Sequence, residues 1–189
     1  MPLAFTLSII AAYLLGAIPS GILIARALGR DDPRTTGSGH TGAMNALRAA
    51  GKIAGVLTFL ADVAKAILAI ELARYLTAGD AWAMAFAAIA AVIGHILPVY
   101  TRFRGGMGLA VGIGALVIFA PLALAAIIAA WFPLKFFLAR APYASMAISV
   151  LLTPVLFLLG APAPTLAFGI GAGTLIFARH YFDVTHRAA

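Results

Sequence analysis

The sequence predicts an all-α integral membrane protein of seven membrane helices, N-terminus outside and C-terminus cytoplasmic, with a short amphipathic helix in its first cytoplasmic loop. Three observations lead there. Hydrophobic residues make up 63% of the 189 and charged residues 10%, far from the composition of soluble domains. The apolar residues gather in runs of about 20, the length that crosses a bilayer. The lysines and arginines lie mostly in short loops between those runs, the pattern that orients a membrane protein. A net charge of +7 distributed in this way marks attraction to anionic lipid or an anionic substrate, not to nucleic acid. The absence of cysteine excludes disulfides, thiolate metal ligands and a cysteine nucleophile. No internal repeat or soluble appendage divides the chain, which reads as one polytopic domain over 1–189.

Five segments meet the length requirement directly: Leu3 to Ala25, Ile53 to Leu76, Ala81 to Tyr100, Tyr143 to Leu159 and Pro164 to Ala178. No basic n-region and small-residue cleavage site frame Met1 to Ala25, so this stretch is expected to be a retained first span. Leu109 to Ala139 is long for one span and short for two, and Pro121 and Pro133 interrupt it. Loop charge decides its parity. Two crossings divided near Pro121 put Arg26, Arg30, Arg34, Arg48, Lys52, Arg102, Arg104, Lys135, Arg140, Arg179 and Arg187 on the cytoplasmic side, whereas one crossing would strand the last four outside. Of the 13 bases, only Lys65, inside a span, and Arg74, beside the outer loop, remain.

Gly37 to Lys52, GSGHTGAMNALRAAGK, is a polar, glycine-rich island in this apolar chain. Its GSGHTG matches the dinucleotide spacing G-x-G-x-x-G, but no strand precedes it and no βαβ unit surrounds it. What remains is glycine backbone able to approach an anion, with a helix expected to start near Thr41 and add its positive end. Thr41, Asn45, Arg48 and Lys52 then recur at helical spacing, giving an amphipathic helix at the membrane surface; a basic face touching lipid head groups competes equally with a ligand-facing role. In HILPVYTRFRGGMG, His95 to Gly108, two arginines flank a glycine turn that can fold around an anion, although a positive-inside anchor explains the same residues. Asp62 and Lys65 share one face of a span with Thr58; intramembrane charge marks a functional site unless it merely locks helices. The terminal RHYFDVTHR spaces His180, Asp183 and His186 by three, too few ligands for a metal site.

Together and in this order, these segments resemble the bacterial acyl-phosphate-dependent glycerol-3-phosphate acyltransferases, the PlsY family, over essentially the whole chain. Gly37, Ser38, Gly39, Gly42, Ala43, Asn45 and Arg48 resemble its GSGNPGATNxxR motif, and Asp62 with Lys65 its D-x-x-K-G element. His95, Pro98, Phe103, Gly105, Gly106 and Gly108 resemble GHxFPxFxxFKGGKG, and Tyr143 with Ser145 its YxS. His180 and Val184, with Arg187 near the end, are similar to HRENIxR. The chain departs at His40 and Thr41, where the motif has Asn-Pro, at Met44 for Thr, at Arg104 and Met107, where it has lysines, and at Tyr181, Phe182 and Asp183, where it has Arg-Glu-Asn.

The resemblance implies a multi-pass enzyme of the bacterial inner membrane, its active site facing the cytoplasm. It would transfer an acyl group from acyl phosphate to glycerol 3-phosphate, in contact with membrane lipid and without cofactor or metal. The expected catalytic residues are Ser38, Asn45 and His180. Substrate would be held by Gly37, Gly39, Gly42, Arg48, Asp62, Lys65, His95, Arg104, Gly105, Gly106 and Gly108. Competing readings are a transporter of small phosphorylated anions, motivated by Asp62 and Lys65, and a catalytically impaired lipid-binding homologue, motivated by Met107 and Phe182.

Overall fold

The computed structural model describes residues 2–138 and 140–187; the side chain of Arg187, one of the third-motif matches, lies outside the described residues. These residues form nine α-helices: α1 (Pro2–Ala17), α2 (Ser20–Ala27), α3 (Ala43–Ala50), α4 (Lys52–Leu76), α5 (Ala81–Ile96), α6 (Leu109–Phe119), α7 (Pro121–Phe137), α8 (Ala141–Leu158) and α9 (Ala163–Arg187). Among the described residues there is no strand.

Among the described residues, three segments are long and apolar enough to cross a membrane: α4, α5 extended through a 3-10 turn to Thr101, and α8. A fourth is α1 with α2, if this pair, bent by 43°, is one span. The bend falls at Pro19, which brings no N–H to continue the helical ladder. The expected division near Pro121 is also present. Ala120 separates α6 from α7, and Pro121 occupies the first turn of the new helix, where its missing N–H is harmless. With 11 and 17 residues, α6 and α7 are apolar but short. A single carboxylate fixes the start of α5, where Asp80 Oδ1 accepts from the Ala83 N–H at 2.7 Å.

Burial in lipid gives little drive for one helix to seek another, so close packing must supply it through small residues. Ala12, Ala17, Ala66, Ala69, Ala87, Ala88 and Ala91 are all buried to 0% exposure. A Cβ on Gly94 of α5 would strike the Tyr13 carbonyl of α1, and one on Gly16 would strike the backbone of Ala91. Large apolar side chains such as Leu122, Phe136 and Leu158 point outward instead, as lipid-facing residues do.

The first loop runs from Leu28 to Gly42 and turns into α3, which begins at Ala43, two residues later than expected. Thr41, Asn45 and Ala50 turn inward and are buried, whereas Met44 and Leu47 are exposed. The polar stripe of α3 thus divides: Asn45 belongs to the protein interior with Ala46 and Ala50, whereas Arg48 is exposed. α3 packs on α4, where a Cβ on Gly55 would press on Leu47.

Candidate active site

One cavity of about 590 Å³ joins most of the polar segments. Ser38, His40, Asn45 and Arg48 approach from the first loop and α3, Asp62 from α4, His95 from α5, and His180 and Asp183 from α9. Away from this polar end the walls are apolar and come from α6, α7 and α8, with Ile113, Leu116, Ile127, Ile148 and Leu152 among them. The space therefore suits a molecule with a polar head and a hydrocarbon tail.

Asn45 organises the first wall. Its Nδ2 donates to Ser38 Oγ at 2.8 Å and to the His40 carbonyl at 2.9 Å. Its Oδ1 accepts from Arg48 Nη1 at 3.0 Å and from the Ser38 N–H at 3.4 Å. These contacts use both amide donors and both oxygen lone pairs, so Asn45 fixes the loop around Ser38 and aims Arg48. The loop can close this tightly because Gly37 has φ +55°, and a Cβ there would sit 2.7 Å from Arg48 Nη1 and 2.8 Å from Asn45 Oδ1.

Asp62 and Lys65 have different surroundings. Lys65 Nζ lies 2.8 Å from Asp62 Oδ1 and also donates to the Ile18 carbonyl at 2.8 Å, at the break between α1 and α2. Asp62 lines the cavity, but Lys65 does not; it stands behind Asp62 and ties the bent pair to α4. His95 Nδ1 is 3.6 Å from the same Asp62 oxygen, too far for a good hydrogen bond but close enough for charge to act.

The glycines after His95 serve packing first. Gly106 N–H donates to the His95 carbonyl at 2.9 Å. A Cβ on Gly105 would collide with that carbonyl, and one on Gly106 with the imidazole ring. The turn wraps over the end of α5, helped by Arg102 and Phe103 in the left-handed region at φ 53° and 61°, a strained conformation for side-chain-bearing residues. Gly108 reaches the cavity beside Met107.

Other expected binders sit apart. Arg104 is exposed and lines a separate cleft with Asp32, Arg34, Thr35 and Gly39. Gly42 lines the main cavity, whereas Gly37, Gly39, Gly105 and Gly106 act through the shape of their loops. His180 is 3% exposed and lines the cavity, with Nδ1 2.8 Å from the Ile176 carbonyl. Trp131 and Ser149 join the cavity although neither belongs to a sequence motif. Trp131 Nε1 donates to Ser145 Oγ at 3.3 Å, Ser149 Oγ donates to the Ser145 carbonyl at 2.7 Å, and all three residues line the cavity. Among the described residues, no group of three His, Asp or Glu side chains is placed to hold a metal ion.

A family model described as glycerol-3-phosphate acyltransferase matches residues 6–187. The chain belongs to the glycerol-3-phosphate acyltransferase family. A relative of that name from Rubrobacter xylanophilus is 41% identical over 92% of this chain and 86% of its own. Another, from Bordetella pertussis, is 36% identical over 93% of this chain and 85% of its own. Two crystal structures of PlsY, described as an integral membrane glycerol 3-phosphate acyltransferase, resemble the fold. Its glycerol 3-phosphate form gives a TM-score of 0.85 at 33% identity, covering 97% of this chain and 92% of that one. Its lysophosphatidic acid form gives 0.83 at 33% identity, covering 97% and 91%. Membership in this acyltransferase family favours the enzyme over the transporter reading, and the first-motif residues Ser38, Asn45 and Arg48 are the ones the fold gathers most closely.

Proposed function

We propose that this chain catalyses transfer of an acyl group from an acyl phosphate to the 1-hydroxyl of glycerol 3-phosphate, releasing lysophosphatidic acid and phosphate, as a step in phospholipid synthesis. The observation that carries this reading is the cavity whose polar end holds Ser38, Arg48 and His180 and whose apolar arm runs between α6, α7 and α8. Relatives named for glycerol 3-phosphate and a similar structure bearing lysophosphatidic acid support the acceptor and product.

An acyl phosphate already carries a good leaving group, so the protein's task is alignment and charge stabilisation. The acceptor hydroxyl oxygen attacks the acyl carbon. Its bond to phosphate breaks, phosphate leaves with the electron pair, and the hydroxyl proton passes to His180 or to the departing phosphate. Arg48 and the Ser38 hydroxyl stabilise phosphate or oxyanion charge, Asn45 holds both in place, and the apolar arm takes the acyl chain. Gly37, Gly39, Gly42 and Gly105 to Gly108 shape the surrounding loops, His95 and Asp62 border the polar end, and Lys65 braces Asp62. Arg104, in the neighbouring cleft, draws anions towards the entrance.

In this reading the chain is a multi-pass protein of the bacterial inner membrane that crosses seven times. α1 with α2 is taken as the first crossing and α6 and α7 as two, and the loop charges support a site that faces the cytoplasm. Purified protein given acyl phosphate and glycerol 3-phosphate should yield lysophosphatidic acid detectable by mass spectrometry. No product under conditions where the Rubrobacter relative is active would overturn the assignment.

A further inference from the structure

Two serines one turn apart on α8 line the cavity, and they use their hydroxyl protons differently. Ser149 makes the usual helical back-bond, its Oγ donating to the Ser145 carbonyl at 2.7 Å. Ser145 does not. Its Oγ accepts from Trp131 Nε1 of α7 at 3.3 Å, and among the described residues no acceptor meets its own proton. An indole N–H can only donate, so the contact fixes Ser145 Oγ as the acceptor on the α7 side and leaves its proton to the cavity, on a side chain only 2% exposed. Lys135 Nζ, 5.2 Å from the centre of the Trp131 ring, braces the indole in place.

The packing of α8 on α9 sets the depth of that proton. A Cβ on Gly169 would stand 3.1 Å from Thr153 Oγ1, and one on Gly173 would stand 2.6 Å from the Ser149 carbonyl. The same antiparallel register puts Ser145 level with Phe177, three residues and about 4–5 Å along the axis from His180. His180 belongs to the polar end, whereas Ile148 and Leu152, further along α8, line the apolar arm. Ser145 thus stands where head meets tail. An acyl phosphate with its phosphate at the polar end and its chain in the arm brings its carbonyl to this level.

We propose that Trp131 is a positioning residue of the acyl-transfer site, acting through Ser145: by donating to Ser145 Oγ it turns the hydroxyl proton towards the acyl carbonyl oxygen. When the hydroxyl of glycerol 3-phosphate attacks the acyl carbon, that oxygen gains negative charge, and Ser145 donates a hydrogen bond to it while keeping its own proton. The carbonyl re-forms as phosphate leaves with the electron pair. Accepting from Trp131 also polarises the Ser145 hydroxyl into a stronger donor. The inference rests on the proposed function.

The test compares wild type, Trp131→Phe, Ser145→Ala and the double variant in detergent, by steady-state kinetics with glycerol 3-phosphate and with a short-chain and a long-chain acyl phosphate. Phenylalanine keeps an aromatic wall and deletes only the donor, and thermal unfolding of each variant serves as the folding control. Ser145→Ala is expected to lower kcat about 100-fold, the scale of one oxyanion donor. Trp131→Phe should lower it about five- to tenfold, the scale of one neutral hydrogen bond. In both, KM for glycerol 3-phosphate should stay within about threefold of wild type. Once Ser145 is alanine, Trp131→Phe should lower kcat by less than about a further twofold, and its effect in the single variant should be equal for the two donors. Losses that simply multiply in the double variant, a Trp131→Phe loss confined to the long-chain donor, an effect on KM alone, or an unchanged kcat in either single variant overturns the proposal. A lower unfolding temperature without the kcat loss makes the pair structural only and does the same. Wild type that makes no lysophosphatidic acid removes the proposed function and the inference with it, whereas an active wild type without this pattern removes the inference alone.

Discussion

Asn45 and Lys65 are both nearly sealed from solvent, at 2% and 5% exposure, and each donates to a main-chain carbonyl. They nevertheless do different work. Asn45 is neutral, and all of its partners lie between Ser38 and Arg48, so it shapes one loop at modest cost. Lys65 brings a charge into the helix bundle, must be matched by Asp62, and reaches back to Ile18 in another helix. A buried charge is tolerated only when so compensated. The contrast teaches that polarity at membrane depth is not one signal: a self-satisfied amide builds the site, and a paired cation builds the frame behind it.

The sharpest way to break this contrast is Lys65→Met, which leaves Asp62 charged and unpaired and the Ile18 carbonyl without its cationic donor. A loss of about 3–5 kcal/mol is expected, read as a large fall in unfolding temperature in detergent and poor accumulation in the membrane. Asn45→Ala should act on chemistry more than on the frame. With Ser38 and Arg48 released, kcat/KM is expected to drop about 100-fold, with an unfolding temperature much closer to wild type; equal damage to stability by both substitutions would erase the distinction. Met107→Lys asks whether the polar end is short of positive charge. A cation at this lining position should lower KM for glycerol 3-phosphate about tenfold, the scale of one charge-assisted contact.

The smallest effect belongs to an exposed pair that serves as a control. Arg34 hydrogen-bonds to Asp32 through Nη2 at 2.7 Å and Nε at 3.0 Å, and chiefly through these bonds holds the carboxyl below its usual pKa. Its contribution is present above the unfolded carboxylate value of about 4 and is lost as pH falls through the lower folded value. Solvent and salt screen it, so Asp32→Asn should change stability by no more than about 1 kcal/mol, with the remaining difference from wild type disappearing in acid.

Much of the helical architecture was readable because bilayer length and hydropathy constrain it strongly. Pro121 marked the break between α6 and α7, whereas the segment expected as one span from Leu3 to Ala25 bends at Pro19 into α1 and α2 without a signal in its hydropathy. The Asp62 and Lys65 spacing revealed a shared helix face, but not that one residue faces the cavity and the other a bend; that depends on where Ile18 lies in the packed bundle. Glycines were legible as sites of close approach, yet Gly105 and Gly106 make room for His95, a contact set by the fold of the turn. The pairing of His40 with Asp183 had no local signal, because it arises only when the first loop and the last helix meet. Arg104 looked like a cavity residue from its place beside the glycines, but the left-handed turn at Arg102 and Phe103 sends it to the adjoining cleft.

The contact between Lys65 and the Ile18 carbonyl also imposes a chronology. The acceptor is made 47 residues before its donor, roughly 2–10 s earlier at ordinary rates of translation. During that interval the carbonyl has only nearby Ser20, whose N–H reaches it at 3.0 Å in the finished fold. The bent first segment is therefore completed by a later part of the nascent chain, and a ribosome stalled before Lys65 emerges leaves the bend without its clamp.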